Sequence, residues 1–243
     1  QPADVGLLNA GIMPGVWEYR VRNGTADSTK GAAMSRAQCV QAIEYGAAMA
    51  KRLADEGVQI LATGEMGIGN TTTSSAVASV LLHRAAAEVT GRGAGLSDEG
   101  LCRKIAAIET SLAVNSPNEN DAVDVLCKVG GLDLAGLCGV FLGGAACRVP
   151  VVIDGFISAV AALCAVRICP AAAAALLASH RSAEPAGLLL LNELGVQPLI
   201  TAQMRLGEGS GAVAVLPLLD MALAVYESGQ TFQKLGIAAY TPQ

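Results

Sequence analysis

Two glutamates lie inside glycine-rich loops. Glu65 belongs to the run at residues 64–70, and Glu208 is flanked directly by Gly207 and Gly209. Because glycine neighbours give little side-chain cover, each carboxylate is free to point into a cleft. Partial desolvation there would raise the pKa of a carboxyl group into the range that suits a general base. Both glutamates are therefore candidate catalytic residues, and the alternative is an ordinary solvated carboxylate in a loop.

Residues 64–70 also have the composition of an anion-binding loop between a strand and a helix. Glycines let the backbone approach a ligand, and the first turn of the following helix offers unpaired N–H groups. Asn70 and Thr71, at the start of that helix, are candidate ligands. The run lacks the Lys-Ser/Thr ending of a Walker A loop and the third glycine of the dinucleotide fingerprint. The alternative is a tight turn in which Asn70 or Thr71 caps the helix.

Lys104 could supply positive charge to the same ligand. It lies early in a helix predicted over residues 97–114, after a glycine loop at residues 91–95. A lysine ammonium acts as a point charge towards a phosphate. In isolation, however, the residue is more typical of the exposed face of an amphipathic helix.

Two further candidates follow apolar runs. Asp154, followed by Gly155, ends a buried strand predicted over residues 149–154. Its carboxylate could accept hydrogen bonds from ribose hydroxyls, or it could cap the next helix. His180 stands in a polar run and is more typical of a satisfied structural group than of a catalyst, since no Ser–His–Asp order accompanies it.

The remaining sequence must position these side chains. Apolar runs alternate with helical patterns, which predicts βαβ units and a parallel sheet. Strands are predicted over residues 58–63 and 149–154, and helices over residues 35–56, 71–88, 97–114, 121–129, 134–147, 156–168, 184–194 and 210–227. The candidates therefore fall at the carboxyl ends of strands or in glycine loops before helices, where open α/β sheets bind ligands.

Composition excludes several classes of protein. With 52% hydrophobic and 15% charged residues, the 243-residue chain can bury a substantial core, so we do not expect disorder. The net charge is −5 and no basic cluster occurs, so no nucleic-acid partner is predicted. The best apolar stretch, residues 155–179, is interrupted by Arg167 and Pro170. It predicts buried core helices rather than a membrane span.

The cysteines and histidines predict no metal site, and we expect no other cofactor. There are seven cysteines, none in a CxxC pair, and most lie in apolar runs. That pattern is typical of buried, reduced thiols in a cytoplasmic protein. The two histidines, His83 and His180, have no Cys or His at ligand spacing, so no metal site is predicted.

Five segments of the chain support one interpretation together. They are GEMGIGNTT at residues 64–72, KVGGLD at 128–133, VPVVIDGF at 149–156, SHRSAE at 179–184 and RLGEGSGA at 205–212. In this order the chain resembles the nicotinate-nucleotide:dimethylbenzimidazole phosphoribosyltransferase family over nearly its whole length. The resemblance implies transfer of the 5-phosphoribosyl group from nicotinate mononucleotide to 5,6-dimethylbenzimidazole, for the lower nucleotide loop of cobalamin.

The resemblance also implies a role for each matching residue. Glu208 stands at the family's catalytic base, and Glu65 stands at a second carboxylate of the same cleft. The residues implied to bind the mononucleotide, including its phosphate, are Gly67, Gly93, Lys104 and Gly155. Ser182 and Ala183 stand where the family holds the nicotinate end.

The family's architecture gives expectations for the whole chain. We expect a Rossmann-like parallel β-sheet flanked by helices in three layers, with part of a small helical domain. Residues 1–243 would form one catalytic domain, to whose helical part residues from about 212 to 243 contribute. The family is typically a homodimer, and we expect a homodimer here.

The chain departs from the family at its front. Residues 4–7 resemble the end of a strand, and family members carry a substantial segment before that strand. The chain starts with Gln1 rather than Met. We therefore expect an N-terminal segment, with part of the benzimidazole pocket, to be missing. Two alternatives stay open: a related transferase that uses adenine or a phenol, and a non-catalytic nucleotide-binding fragment of the same fold. A P-loop hydrolase is a poor third.

Overall fold

The computed structural model describes residues 2–6, residue 11, residues 13–231 and residues 233–238. Its helices are α1 (Arg36–Asp55), α2 (Asn70–Leu81), α3 (Ala86–Val89), α4 (Asp98–Asn115), α5 (Ala122–Val129), α6 (Leu132–Cys147), α7 (Phe156–Ile168), α8 (Gly187–Glu193) and α9 (Ser210–Glu227). Its strands are β1 (Ala3–Asp4), β2 (Trp17–Glu18), β3 (Leu61–Ala62), β4 (Val151–Ile153) and β5 (Leu176–Ala178), and a 3-10 helix covers Pro170–Ala175. Parallel strands flanked by helices confirm the predicted α/β fold class.

Three short parallel strands form the sheet that carries the candidate site. They lie in the order β3-β4-β5, with Leu61 opposite Val151 and Val151 opposite Leu176. All of β4 is buried, which accounts for its unbroken apolar run, since a strand covered on both faces needs no polar alternation. β3 and β4 are shorter than their predicted ranges. β5 was not predicted, because it follows an alanine-rich run and contains no β-branched or aromatic residue.

A second parallel sheet joins β1 to β2, with Ala3 opposite Trp17. The buried carboxylate of Asp4 accepts hydrogen bonds from the Arg20 guanidinium and from the Gly6 amide. Of the strand end expected at residues 4–7, residue 4 lies in β1, and residue 7 lies outside the described residues.

Local signals account for most of the helix boundaries. Ser35 begins α1 through a capping box, in which its hydroxyl accepts from the Gln38 amide and the Gln38 side chain accepts from the Ser35 amide. The bounds of α7 and α9 agree with prediction. The single helix predicted over residues 71–88 is wrong. The chain turns at His83, which has a left-handed φ of 53°, and this turn separates α2 from α3.

Helices α1 and α6 pack with their backbones in contact. A methyl group on Gly46 of α1 would overlap the Gly136 carbonyl oxygen, and one on Gly139 of α6 would overlap the Ile43 carbonyl oxygen. Glycine is therefore required at both positions, even though it costs about 0.5–1 kcal/mol of helix stability relative to alanine. This close packing supports the helical layer beside β4.

Helix α7 lies at the centre of the core. Its residues from Phe156 to Ala165 are all buried, so the helix is apolar on every side. The apolar stretch at residues 155–179 thus begins with a core helix, as predicted, and ends in β5, which was not predicted. A different helix, α9, is long and apolar enough to span a membrane by length and composition alone. Its Ala212 and Val215 pack into the domain, and the helix also carries the exposed carboxylates Asp220 and Glu227.

All seven cysteines are free thiols, and four of them are buried, namely Cys39, Cys127, Cys138 and Cys164. Burial raises the pKa of the Cys39 thiol to about 12. A thiol that keeps its proton at neutral pH is a small apolar side chain rather than a nucleophile.

We predict that Gly139→Ala destabilises the fold. The added methyl group must push α1 away from α6, and overpacking of this kind costs about 1–3 kcal/mol, more than the gain in helix propensity. Urea unfolding would measure the change in the free energy of unfolding. Gly31→Ala is the control, because a methyl group there meets no neighbouring atom. Equal stability of both variants and the wild type would contradict the backbone contact.

Candidate active site

The carboxyl ends of β3, β4 and β5 bring the candidate loops to one edge of the sheet. β3 leads to Thr63, β4 leads to Asp154, and β5 leads to Ser179. The Thr63 hydroxyl donates a 2.6 Å hydrogen bond to the Val152 carbonyl oxygen and lies 2.6 Å from the Ser158 hydroxyl. These buried bonds hold two strand ends side by side, at the edge where ligands bind in open α/β sheets.

Asp154 anchors the loop that carries Glu208. Its carboxylate belongs to a residue that is 2% exposed and accepts hydrogen bonds from the amides of Gly209, Gly211 and Ala212, at 3.1, 2.7 and 3.0 Å. A negative charge at the start of α9 is favoured by the helix dipole and by the unpaired amides there. Asp154 therefore does not cap the helix that follows it in sequence. It caps one that begins more than fifty residues later.

The two glutamate loops touch through their backbones. A methyl group on Gly64 would lie 2.7 Å from the Gly209 amide nitrogen, and one on Gly207 would lie 3.0 Å from the Glu65 Oε1 atom. Gly207, Glu208 and Gly209 all have left-handed φ angles, of 77°, 58° and 82°. This tight turn places Glu208 beside the Glu65 loop.

The environments of the two carboxylates differ from those expected. Glu208 is exposed in the structure, so the expected partial desolvation applies to Glu65 instead. Burial raises the pKa of Glu65, the hydrogen bond from Asn70 lowers it, and the nearby carboxylate of Asp133 raises it. The glycine neighbours of Glu208 do not cover its side chain, and the rest of the described chain does not bury it either.

Asn70 links two carboxylates rather than capping a helix. Its side-chain amide donates to Glu65 and, at 3.0 Å, to the Asp133 carboxylate, while α2 has no side-chain cap. A methyl group on Gly67 would lie 2.6 Å from that amide nitrogen, so glycine is needed there. Asp133 was not singled out from the sequence, although it ends the KVGGLD segment at residues 128–133.

Lys104 is buried, so its interpretation as a surface lysine is wrong. The residue is only 7% exposed, and Nζ donates hydrogen bonds of 2.9 Å to the Thr71 hydroxyl and the Gly91 carbonyl oxygen. A methyl group on Gly93 would lie 2.9 Å from that hydroxyl and 3.7 Å from Nζ. Burial lowers the pKa of Lys104, and the carboxylate of Glu184 raises it. Lys104, Thr71 and Gly93 thus meet beside the start of α2.

Ser182 and Ala183 border an open cleft of about 170 Å³, whose lining also includes Arg181, Glu184, Pro185, Leu188, Thr201 and Gln203. The Ser182 hydroxyl accepts a 3.3 Å hydrogen bond from the Glu184 amide, and the Ala183 amide donates to the Met204 carbonyl oxygen. Glu184 is a further residue that sequence reasoning included in a motif but did not select. The lining is mostly polar, and the volume suits one end of a small ligand.

His180 is part of the packing, as expected. A methyl group on Gly211 would overlap its Nδ1 atom, one on Gly155 would lie 3.7 Å from Cε1, and Nδ1 lies 3.0 Å from the Ser179 hydroxyl. Burial lowers the pKa of His180, and the Asp154 carboxylate opposes that change. Among the described residues, no three His, Cys, Asp or Glu side chains are grouped so that they could hold a metal ion.

Comparison with known proteins places the chain in a family. A family model described as phosphoribosyltransferase matches residues 1–237. Nicotinate-nucleotide–dimethylbenzimidazole phosphoribosyltransferase from Acetivibrio thermocellus is 47% identical over 240 residues, which cover 99% of this chain and 68% of that protein. The enzyme of the same name from a Roseiflexus species is 52% identical over 236 residues, covering 97% and 67%.

Solved structures agree with the sequence relatives. The crystal structure of CobT from Thermus thermophilus has a TM-score of 0.91 and 37% identity, over 98% of this chain and 71% of that one. A second crystal structure from the same organism, of a nicotinate-nucleotide-dimethylbenzimidazole phosphoribosyltransferase, has a TM-score of 0.89 and 36% identity, over 98% and 70%. With this fold, these loops and this identity, the chain belongs to the nicotinate-nucleotide:dimethylbenzimidazole phosphoribosyltransferase family.

Proposed function

We propose that this chain transfers the 5-phosphoribosyl group from nicotinate mononucleotide to 5,6-dimethylbenzimidazole, giving α-ribazole 5′-phosphate and nicotinate for the lower nucleotide loop of cobalamin. The observation that carries the proposal is the contact of the two glutamate loops at the edge of the sheet, where Gly64 meets Gly209. The names of the relatives support the same reaction.

The reaction needs a base more than it needs an acid. The ring nitrogen of nicotinate mononucleotide is already cationic, so the C1′–N bond breaks and nicotinate leaves without being protonated. One benzimidazole nitrogen forms the new bond to C1′ from the opposite face, which inverts that carbon. The other nitrogen releases its proton, and the Glu208 carboxylate accepts it. None of these steps requires a metal.

The phosphate would be held at the start of α2. Lys104 supplies a buried ammonium that also donates to the Thr71 hydroxyl, and Gly67 and Gly93 allow close approach of the backbone. A dianion in such a place would gain charge-assisted hydrogen bonds that are stronger than neutral ones. Fixing the phosphate positions the ribose, and orientation of this kind supplies much of the rate of a transfer.

The remaining residues define the other end of the mononucleotide. Ser182 and Ala183 border the open cleft, and we propose that nicotinate occupies it. Asp154 was expected to contact ribose, but both of its oxygens accept backbone amides. We propose that Asp154 acts chiefly by fixing the Glu208 loop, while Gly155 keeps the strand end clear for the ribose.

Assembly and location are part of the same proposal. Helix α9 exposes large apolar side chains, including Val213, Met221, Leu223, Val225 and Tyr226. Such a face supports a helical subdomain formed by the C-terminal part of the chain, and a homodimer that covers apolar surface. Seven free thiols support a cytoplasmic location, where cysteines stay reduced.

We predict that Glu208→Gln slows nicotinate release in the presence of dimethylbenzimidazole by about 10²- to 10⁴-fold in kcat, because the amide cannot accept the proton. The KM for nicotinate mononucleotide should change little, since Glu208 has no role in holding the phosphate. Glu227→Gln, at the exposed end of α9, is the control. Near-normal turnover of Glu208→Gln with saturating substrates would reject the assignment of the base.

We predict that Lys104→Gln raises the KM for nicotinate mononucleotide by about 10- to 100-fold. A hydrogen bond to a charged group contributes about 1.5–3 kcal/mol, and about 1.4 kcal/mol corresponds to a tenfold change in affinity. Arg103→Gln is the matched control, because Arg103 is the exposed neighbour on the same helix. An unchanged KM in a folded Lys104→Gln variant would show that the phosphate lies elsewhere.

We predict that Glu65 makes stability depend on pH. Burial raises the pKa of Glu65, so the folded chain holds this proton more tightly than the unfolded chain does. The resulting stabilisation is present below the ordinary glutamate pKa and is lost as pH rises through the raised value. Glu65→Gln removes this dependence, so the stability of the variant relative to the wild type should be greater at about pH 8 than at about pH 4. Urea unfolding at both values measures it, and a constant difference would contradict the burial effect.

A further inference from the structure

Glu184 lines the cleft proposed for nicotinate, but the proposed reaction gives its carboxylate no role. Its Oε2 atom is buried and has no hydrogen-bond partner among the described residues. A buried, unpaired carboxylate oxygen is unfavourable unless a positive charge lies close by. The ammonium of Lys104 is such a charge. Burial lowers the pKa of Lys104, and this carboxylate opposes that change.

Gly91 joins the two groups. Its carbonyl oxygen accepts a 2.9 Å hydrogen bond from Lys104 Nζ, and a methyl group on its Cα would overlap Glu184 Oε2. The carboxylate therefore reaches the backbone that holds Lys104 only because residue 91 has no side chain. Pro185, next in sequence to Glu184, also packs against this glycine.

Lys104 needs a nearby negative charge. Burial lowers its pKa, because removing water disfavours the ammonium form. Its two hydrogen-bond partners, a hydroxyl on α2 and a backbone carbonyl, are both neutral. Arg92, the charged residue of the glycine loop at residues 91–95, donates hydrogen bonds to the Asp98 carboxylate and to the Leu96 carbonyl oxygen. Glu184 thus supplies the opposing electrostatic effect.

We propose that Glu184 is a positioning residue for Lys104: from beside Gly91, its carboxylate keeps the ammonium charged and held towards the phosphate of the mononucleotide. This inference rests on the proposed function. Glu184 touches no reacting atom in it and acts through Lys104. The amide of Glu184 also donates to the Ser182 hydroxyl. One short loop would therefore position both the cleft for nicotinate and the Lys104 ammonium for the phosphate.

The test is the pH dependence of mononucleotide recognition. Above about pH 7 the ionisation of a phosphate monoester is nearly complete, since its second pKa is about 6, so a rise in KM towards alkaline pH reports loss of the Lys104 proton. Removing the Glu184 charge should move that rise to lower pH. We expect Glu184→Gln to have a KM at least about threefold above the wild type near pH 9, with a smaller difference near pH 7 and kcat nearly unchanged.

Glu193→Gln is the matched control, because Glu193 lies on the neighbouring helix α8 and pairs with Arg167 at 2.5 Å, away from Lys104. A purely structural role for Glu184 predicts a uniform change at all pH values. Superimposable pH profiles of KM for Glu184→Gln and the wild type, or a parallel offset between them, would overturn the proposal.

Gly91→Ala provides an independent variant that keeps both charges. Its methyl group displaces the Glu184 carboxylate, so we expect the same alkaline rise in KM to begin at lower pH. If Glu184→Gln does not fold, the pH profile of Gly91→Ala tests the proposal.

Failure of the proposed function is distinguishable, because the wild type would then neither bind nicotinate mononucleotide in equilibrium titration nor release nicotinate. A wild type that does both, with unshifted variants, rejects only the role of Glu184.

Discussion

The buried carboxylate of Asp154 is the constraint on which the arrangement of the site depends. It follows the central strand, yet three of its hydrogen-bond donors belong to the start of α9. Charge-assisted bonds to unpaired helix amides are among the stronger interactions available to a protein interior. Because of them, the Glu208 loop is held against the sheet edge although α9 itself contributes few buried residues. This anchor holds Gly209 where it meets Gly64 of the other glutamate loop.

Close approach of backbones is the second element of the design. Gly64 and Gly209 meet where a side chain would not fit, as do α1 and α6 at Gly46 and Gly139. In the helices this contact makes a thin, rigid layer beside the sheet. At the site it brings together loops that are distant in sequence and carry the two glutamates. Glycine therefore allows these backbones to touch, because it has no side chain to separate them. This agrees with a chain that has 28 glycines and only 3% aromatic residues.

Charge and burial are distributed unevenly around the cleft. Glu65 is half-buried with a raised pKa and shares Asn70 with Asp133, whereas Glu208 is exposed. Lys104 is buried with a lowered pKa, and Glu184 opposes that change. Two carboxylates in contrasting environments can take different roles in one reaction, one as part of a hydrogen-bonded network and the other as an open proton acceptor. A buried lysine binds an anion strongly only while it remains charged.

The sequence by itself determined the features that are local. The capping box of α1, the bounds of α7 and α9, the apolar strand β4 and the five motifs follow from neighbouring residues, because caps and helical periodicity act over a few positions. Tertiary structure alone decided the burial of Lys104, the exposure of Glu208, the partners of Asp154 and the contacts of Asp133 and Glu184. Each depends on residues far apart in sequence, and solvation is a property of everything that surrounds a side chain. The strand β5 was hidden for the same reason: pairing with β4, rather than its own composition, makes it a strand.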